Sequence, residues 1–227
     1  MNKCSPLLTL LALSIACSAS AKDNEVAQLG PFTAPNNLSI IIRAEGPATR
    51  QAPLQAACFF EHHAEGDQLS GGTKSFNDQM GGLVQKLRDD GDFGGHELET
   101  LLITPPPGTV PAKKILLIGL GDAKTFSASR MKNVGIVAVR EAFKLGVDKL
   151  SFSPNVTDAG VTGVKVPDFD QQVIEGVLAG MATQTKLSEQ KLVPKVVLSE
   201  FTLEAGKANL AGAAEAVQAA IKAIDKK

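Results

Sequence analysis

Lys114-Ile115-Leu116-Leu117-Ile118-Gly119-Leu120-Gly121-Asp122 is the stretch that decides the fold. Its apolar residues run from Ile115 to Ile118 without alternation, where a strand with one solvated face would alternate with period two. A continuous run of this kind belongs to a strand covered on both faces, as in a sheet sandwiched between helices. Gly119 and Gly121 close the run with residues suited to a tight turn.

The segments on either side supply the helices. Upstream, Phe76, Met80, Leu83, Val84 and Leu87 fall on one face at spacings of three and four, and Gly91 stops the pattern. Downstream, Met131, Val134, Ala138 and Leu145 continue a helix to Gly146, with Ser127 as its N-cap and Phe126 and Met131 placed as a hydrophobic staple. A third helix carries Phe169, Val173, Val177 and Met181, and an Ala-rich helix over 205–224 closes the chain. Further strands are expected over 38–43, 54–60, 99–104, 149–153 and 195–201, with Glu45-Gly46-Pro47 turning the chain between the first two. Strands alternating with helices predict an α/β protein, a three-layer α/β/α sandwich around a mixed sheet.

Bulk properties narrow the function. Lys and Arg number 23 against 24 Asp and Glu, a formal charge of -1, and the lysines are interspersed with acids. No basic stripe exists to follow a phosphate backbone, and Trp and Tyr are absent as stacking platforms, so nucleic acid is not the expected partner. The chain opens with Lys3, an apolar run from Leu7 to Ile15, and Ala19-Ser20-Ala21, the three parts of a secretory signal. We expect cleavage after residue 21, a flexible lead-in over 22–36, one domain over 37–227, and a periplasmic or secreted location with no membrane span. Ser14-Ile15-Ala16-Cys17 is a partial lipobox, which makes a lipoprotein anchored at Cys17 the alternative; Ser14 stands where that box wants a large aliphatic residue. Cys58, among Ala56, Ala57, Phe59 and Phe60, reads as a buried strand thiol.

The order of several motifs resembles one known family. Gly82-Leu83, Arg88 to Phe93, Gly95, Glu99-Thr100-Leu101-Leu102 and Lys114 to Gly121 are similar, in order and spacing, to the N-terminal domain of the leucine (cytosol) aminopeptidases. There a helix ending in a Gly-Asp-Phe-like turn leads to a Gly-Glu-Thr strand and then to a strand ending in Gly-Leu-Gly. The resemblance implies a macro-domain-like fold. It does not imply peptidase activity, because that family holds two metal ions with Lys, Asp and Glu residues of a separate C-terminal domain. The family's Asn-Thr-Asp-Ala-Glu-Gly-Arg run occurs nowhere in this sequence, so no catalytic residue is carried over.

Candidate sites are few. Gly119, Gly121 and Asp122 follow a buried strand and precede a helix, the position at which α/β folds hold phosphate-bearing ligands, although Lys124 stands where a dinucleotide fingerprint needs its third glycine. Glu61-His62-His63 with Glu65 has metal-ligand chemistry, yet neighbouring strand residues point to opposite faces, which favours a solvated strand end. Gly71-Gly72-Thr73-Lys74-Ser75 lacks the leading glycine of a phosphate loop. No metal, cofactor or catalytic residue is expected. The sequence points to an exported non-catalytic binding or assembly module with a protein partner, self-association or a small-molecule ligand. The alternatives are an accessory subunit of a separate metallo-aminopeptidase and a macro-like nucleotide-ligand domain.

Overall fold

The computed structural model describes residues 26–63 and 69–224; the expected signal segment, Cys4, Cys17 and Glu65 lie outside them. A seven-stranded mixed sheet runs in the order β1-β2-β7-β6-β3-β5-β4. The strands are β1 (Gln28–Ala34), β2 (Leu38–Arg43), β3 (Leu54–Phe59), β4 (Thr100–Ile103), β5 (Ile115–Gly119), β6 (Lys149–Ser153) and β7 (Glu200–Glu204). The two edge strands, β1 and β4, pair antiparallel and the inner strands are parallel. Helices α1 (Gly71–Gln79), α2 (Leu83–Asp89), α3 (Arg130–Lys144), α4 (Val166–Glu189) and α5 (Leu210–Ile224) complete the sandwich. The fully buried β5 is the inner strand that its unbroken apolar run demanded.

The two faces of the sheet are not alike. Ile40, Ile42, Ala56, Leu116, Phe152, Phe201 and Leu203 share one face, on which α3, α4 and α5 form a single large core. On the other face Ala57, Phe59, Ile115 and Leu117 receive Phe76, Val84 and Phe93, so α1 and α2 cover only the β3–β5 half. The remaining half carries a polar row. Gln55, Ser151 and Thr202 stand side by side in register on β3, β6 and β7, and all are buried. The loop between β2 and β3 lies over them, where Arg50 donates to Thr202 Oγ1 at 3.2 Å and to Glu200 Oε1 at 3.4 Å.

Four local expectations are revised. Residues 28–34, read as part of a flexible lead-in, form β1 because β2 offers an open hydrogen-bonding edge; the strand itself is largely exposed. The helix expected across Phe76 to Leu87 is two helices, since Gly81 and Gly82 both take left-handed φ, +67° and +81°. The last strand begins at Glu200, later than expected, because pairing with Ser39 on β2 and Lys149 on β6 starts there. Helix α3 begins at Arg130 with no side-chain cap, and the Ser127 hydroxyl instead meets that of Ser129 at 2.9 Å.

Candidate functional site

The carboxyl ends of parallel strands are where an α/β sheet opens a crevice, because successive loops diverge there. In this protein the loops after β2, β6 and β7 part around a cleft of about 400 Å³, closed on one side by the start of α4. Four acidic side chains line it, Glu45, Asp158, Asp170 and Glu204, against a single basic one, Lys207, among the described residues.

The four acids differ in what already satisfies them. Glu45 accepts from Arg43 Nε at 2.9 Å and lies 3.8 Å from Arg50. Asp158 reaches from the loop after β6 to the start of α1, where it accepts from the Thr73 amide at 3.2 Å. Burial raises its pKa, and the Thr73 and Gly72 amides oppose that shift. It thereby occupies the positive end of the α1 dipole. Glu204 ends β7 and is 4 % exposed; Oε1 accepts from Ser151 Oγ at 2.7 Å, and the Gln55 and Ser153 side chains also reach its carboxylate. Burial pushes its carboxyl up to about 7, with the Ser151, Gln55 and Ser153 side chains opposing and the nearby Glu45 adding to the rise. Asp170, early in α4, is 1 % exposed, its Oδ2 meets no partner, and burial pushes it up to about 8. An unpartnered buried polar atom forfeits about 1–3 kcal/mol of solvation, more if charged, so Asp170 marks a place where protein-internal bonding is incomplete.

Gly119, Gly121 and Asp122 lie elsewhere, at and just beyond the end of β5, and their polar groups are used within the chain. Gly119 N–H donates to Glu99 O at 2.8 Å, Gly121 N–H to Gly95 O at 2.9 Å, and the Lys124 amide to Asp122 Oδ1 at 2.8 Å. A Cβ on Gly119 would stand 1.9 Å from the His96 carbonyl oxygen, and Gly121 has φ +71°. Gly121→Val is therefore expected to cost about 1–3 kcal/mol, read as a lowered urea midpoint; an unchanged midpoint would remove the case for a strained turn.

The Glu61-His62-His63 segment ends β3 without convergence: Glu61 pairs with His96 at 2.6 Å and His62 with Asp89 at 3.4 Å. Among the described residues no group of three His, Cys, Asp or Glu side chains is placed to hold a metal ion. Gly71 and Gly72 open α1 against the Asp158 carboxylate. Cys58 is buried in β3, and burial raises its thiol pKa.

Asp170 and Glu204 were not singled out from the sequence, although each left a trace. Asp170 occupies the same helical stripe as Val173, Ile174 and Val177, a carboxylate on an apolar face. Glu204 alternates with Phe201 and Leu203 in a period-two pattern that also describes an ordinary solvated face.

Strand order, layering and the edge cleft together define a macrodomain-type α/β/α domain. An Oceanobacillus iheyensis macrodomain solved with ADP overlays 87 % of this chain and 98 % of that one with a TM-score of 0.58 at 12 % identity. A mutant tomato leucine aminopeptidase overlays 83 % of this chain and 37 % of that one, TM-score 0.59 at 15 % identity. In sequence, residues 57–191 match the N-terminal domain of the cytosol aminopeptidase family. The chain belongs to that family. A probable cytosol aminopeptidase of Alkaliphilus metalliredigens is 33 % identical over 135 residues, 56 % of this chain and 26 % of the relative. One from Roseiflexus castenholzii is 38 % identical over 69 residues, 30 % of this chain and 14 % of the relative. The match thus spans about a quarter or less of these relatives, at the domain the sequence motifs indicated.

Proposed function

We propose that this domain is a non-catalytic binding module of the cell envelope, and that the cleft at the carboxyl ends of β2, β6 and β7 is its binding site. The observation that carries the reading is the buried Asp170 carboxyl, with an oxygen that the protein leaves without a partner, on the wall of an open cleft that Glu204 also lines. The cleft volume falls in the range of small-molecule sites, about 300–1,000 Å³. Support for a non-catalytic role comes from the position of the family match, which falls on the N-terminal domain over residues 57–191. Activating water for peptide hydrolysis takes a metal held by several convergent ligands.

The purified protein is therefore expected to release no amino acid from leucyl substrates with added zinc, manganese or magnesium. Metal-dependent turnover that co-purifies with the protein to homogeneity would overturn the non-catalytic reading. ADP belongs in the ligand panel because a macrodomain of the same fold has been solved with it. In this reading the Gly119–Asp122 turn is structural; a ligand-induced rise in melting temperature lost in Asp122→Ala and kept in Asp170→Asn would reassign the site to that turn.

Export is part of the proposal, and rests on Lys3, the Leu7 to Ile15 run and Ala19-Ser20-Ala21. Intact-mass measurement of envelope protein is expected to give a chain starting at Lys22. A diacylglyceryl group on Cys17 would make it a lipoprotein, held by acyl chains.

A further inference from the structure

We infer that the end of the fold opposite the cleft rests on an anionic lipid bilayer, with Leu192 and Val197 entering the headgroup region and Lys186, Lys191 and Lys195 facing the lipid charge. The inference goes beyond the reading of the cleft and uses none of its residues.

The parallel strands give the domain two unlike ends. Their carboxyl ends carry the cleft, lined by four acids and one lysine. Helices α3 and α4 each link two parallel strands, so their last turns, with Lys144 and Lys186, return to the amino ends. There the turn between α4 and β7 exposes apolar side chains: Leu192 is 66 % and Val197 57 % exposed, the highest among the large apolar residues described. The turn is not a loose end. Lys191 N–H donates to Ser188 O at 2.9 Å and Leu192 N–H to Leu187 O at 3.0 Å, with Lys191 at φ +60°, a helix-closing arrangement in which glycine is the usual residue.

Charge selects the partner. Lys191, Leu192, Val193 and Lys195 border one shallow hollow, and Lys195 and Val197 border the next, so cation and aliphatic side chain alternate on one surface. Lys74, Lys86, Lys132, Lys144 and Lys149 are each paired with a carboxylate. Lys186, Lys191 and Lys195 are exposed and have no such partner among the described residues, and Glu189 is the one acid bordering either hollow. An acidic protein surface would answer the lysines and leave Leu192 and Val197 against polar groups. An anionic bilayer answers both, because its interface takes aliphatic side chains between headgroups while each lysine near its charge raises affinity about fivefold. In this posture the cleft faces away from the lipid, open to solvent.

The test is titration of the purified chain with vesicles of phosphatidylglycerol and, separately, of phosphatidylcholine. The sequence contains no Trp or Tyr, so the single tryptophan of a Leu192→Trp variant reports its own surroundings. Its emission is expected to shift to the blue on phosphatidylglycerol, with affinity for phosphatidylcholine at least about tenfold lower. Replacing Lys186, Lys191 and Lys195 by serine in the same background is expected to weaken binding to phosphatidylglycerol at least about tenfold. Sedimentation of the unaltered chain with phosphatidylglycerol vesicles, beside a Leu192→Ser, Val197→Ser variant, checks that the indole does not create the affinity; the variant is expected to bind at least about fivefold more weakly. Circular dichroism establishes that the variants are folded, and every substituted position is exposed. Vesicle binding with the tryptophan emission unmoved would place the lipid contact elsewhere in the chain and overturn the inference, as would equal affinity for the two lipids or unchanged affinity in the folded lysine or aliphatic variants. A blue shift that grows with protein concentration in the absence of vesicles replaces the bilayer by a second copy of this chain. Binding to neither lipid overturns the inference and leaves the reading of the cleft untouched.

Discussion

Replacing Gly176 by valine is expected to remove a large part of the protein's folding stability. Helices α3 and α4 cross where Gly135 faces Val173 and Gly176 faces Lys132, so close that a Cβ on Gly176 would lie 2.0 Å from the Lys132 carbonyl oxygen and 2.9 Å from its carbon. A Cβ on Gly135 would lie 2.4 Å from the Val173 carbonyl oxygen. The obstructing atoms are helix backbone, which cannot rotate aside as a side-chain end can. The helices must separate, and with them the contacts of Met131, Val134, Ala138, Val173 and Val177 that join both to the sheet. Overpacking costs about 1–3 kcal/mol when side chains can adjust and more when backbone must move, against a typical domain stability of about 5–15 kcal/mol. We expect a loss of at least about 3 kcal/mol, read by urea unfolding followed by circular dichroism. Gly46, where a Cβ would meet nothing within 4 Å and φ is not left-handed, is the control, expected to accept alanine within about 0.5 kcal/mol. A Gly176→Val protein unfolding at the parent's urea midpoint would refute the close crossing.

The second large effect is on the pH dependence of stability. Asp170 rises from 3.8 to about 8 and Glu204 from 4.5 to about 7, both mainly through burial. The native state therefore keeps protons that the unfolded chain releases. Stability from these groups is fully present below the unfolded pKa values and is lost as pH rises through the folded ones, so the window runs from about 4 to about 8. Where both carboxyls differ fully in protonation between the states, each contributes a slope of about 1.4 kcal/mol per pH unit. Asp158, raised in the same direction by burial, adds to the fall. Urea unfolding at intervals across this window is expected to show stability decreasing with pH in the parent and a much flatter profile in the Asp170→Asn, Glu204→Gln double variant. The double variant is also expected to be the more stable protein at the alkaline end, because the neutral side chains no longer oppose burial. Parent stability that stays level or climbs between the acid and alkaline ends would show that these carboxyls are solvated.

The sheet's parallel centre was readable along the chain because each of its strands states its own burial. Ile115 to Ile118 is apolar on both faces, and Phe76, Val84 and the α3 and α4 stripes name the helical surfaces that cover it. The family, too, was legible in local motifs, since turns such as Arg88 to Gly95 and Gly119 to Gly121 need particular residues at particular places. Gly121 takes φ +71° and Gly95 φ +77°, and a Cβ on Gly95 would meet the Phe60 carbonyl at 2.4 Å. Short-range geometry of this kind is written into residue type.

The site was not legible in that way. Asp170 and Glu204 are 34 positions apart by their residue numbers, and each sits in a pattern that has an ordinary explanation within its own element. Only the parallel placement of β7 beside β6, with α4 starting at the same edge, brings them to one cleft. Likewise Asp122 looked available from its place after a buried strand, yet its carboxylate is taken by the Lys124 amide. By itself the sequence determined the alternation of elements, the doubly covered strand β5 and the kinship with the aminopeptidase N-terminal domain, because period and turn chemistry are local properties. Only the tertiary structure decided that β1 completes the sheet, that half of one sheet face is polar, and which carboxyls are buried. Strand pairing, burial and hydrogen-bond partners depend on what distant segments bring alongside, and solvation of a carboxyl is set by all of its neighbours at once.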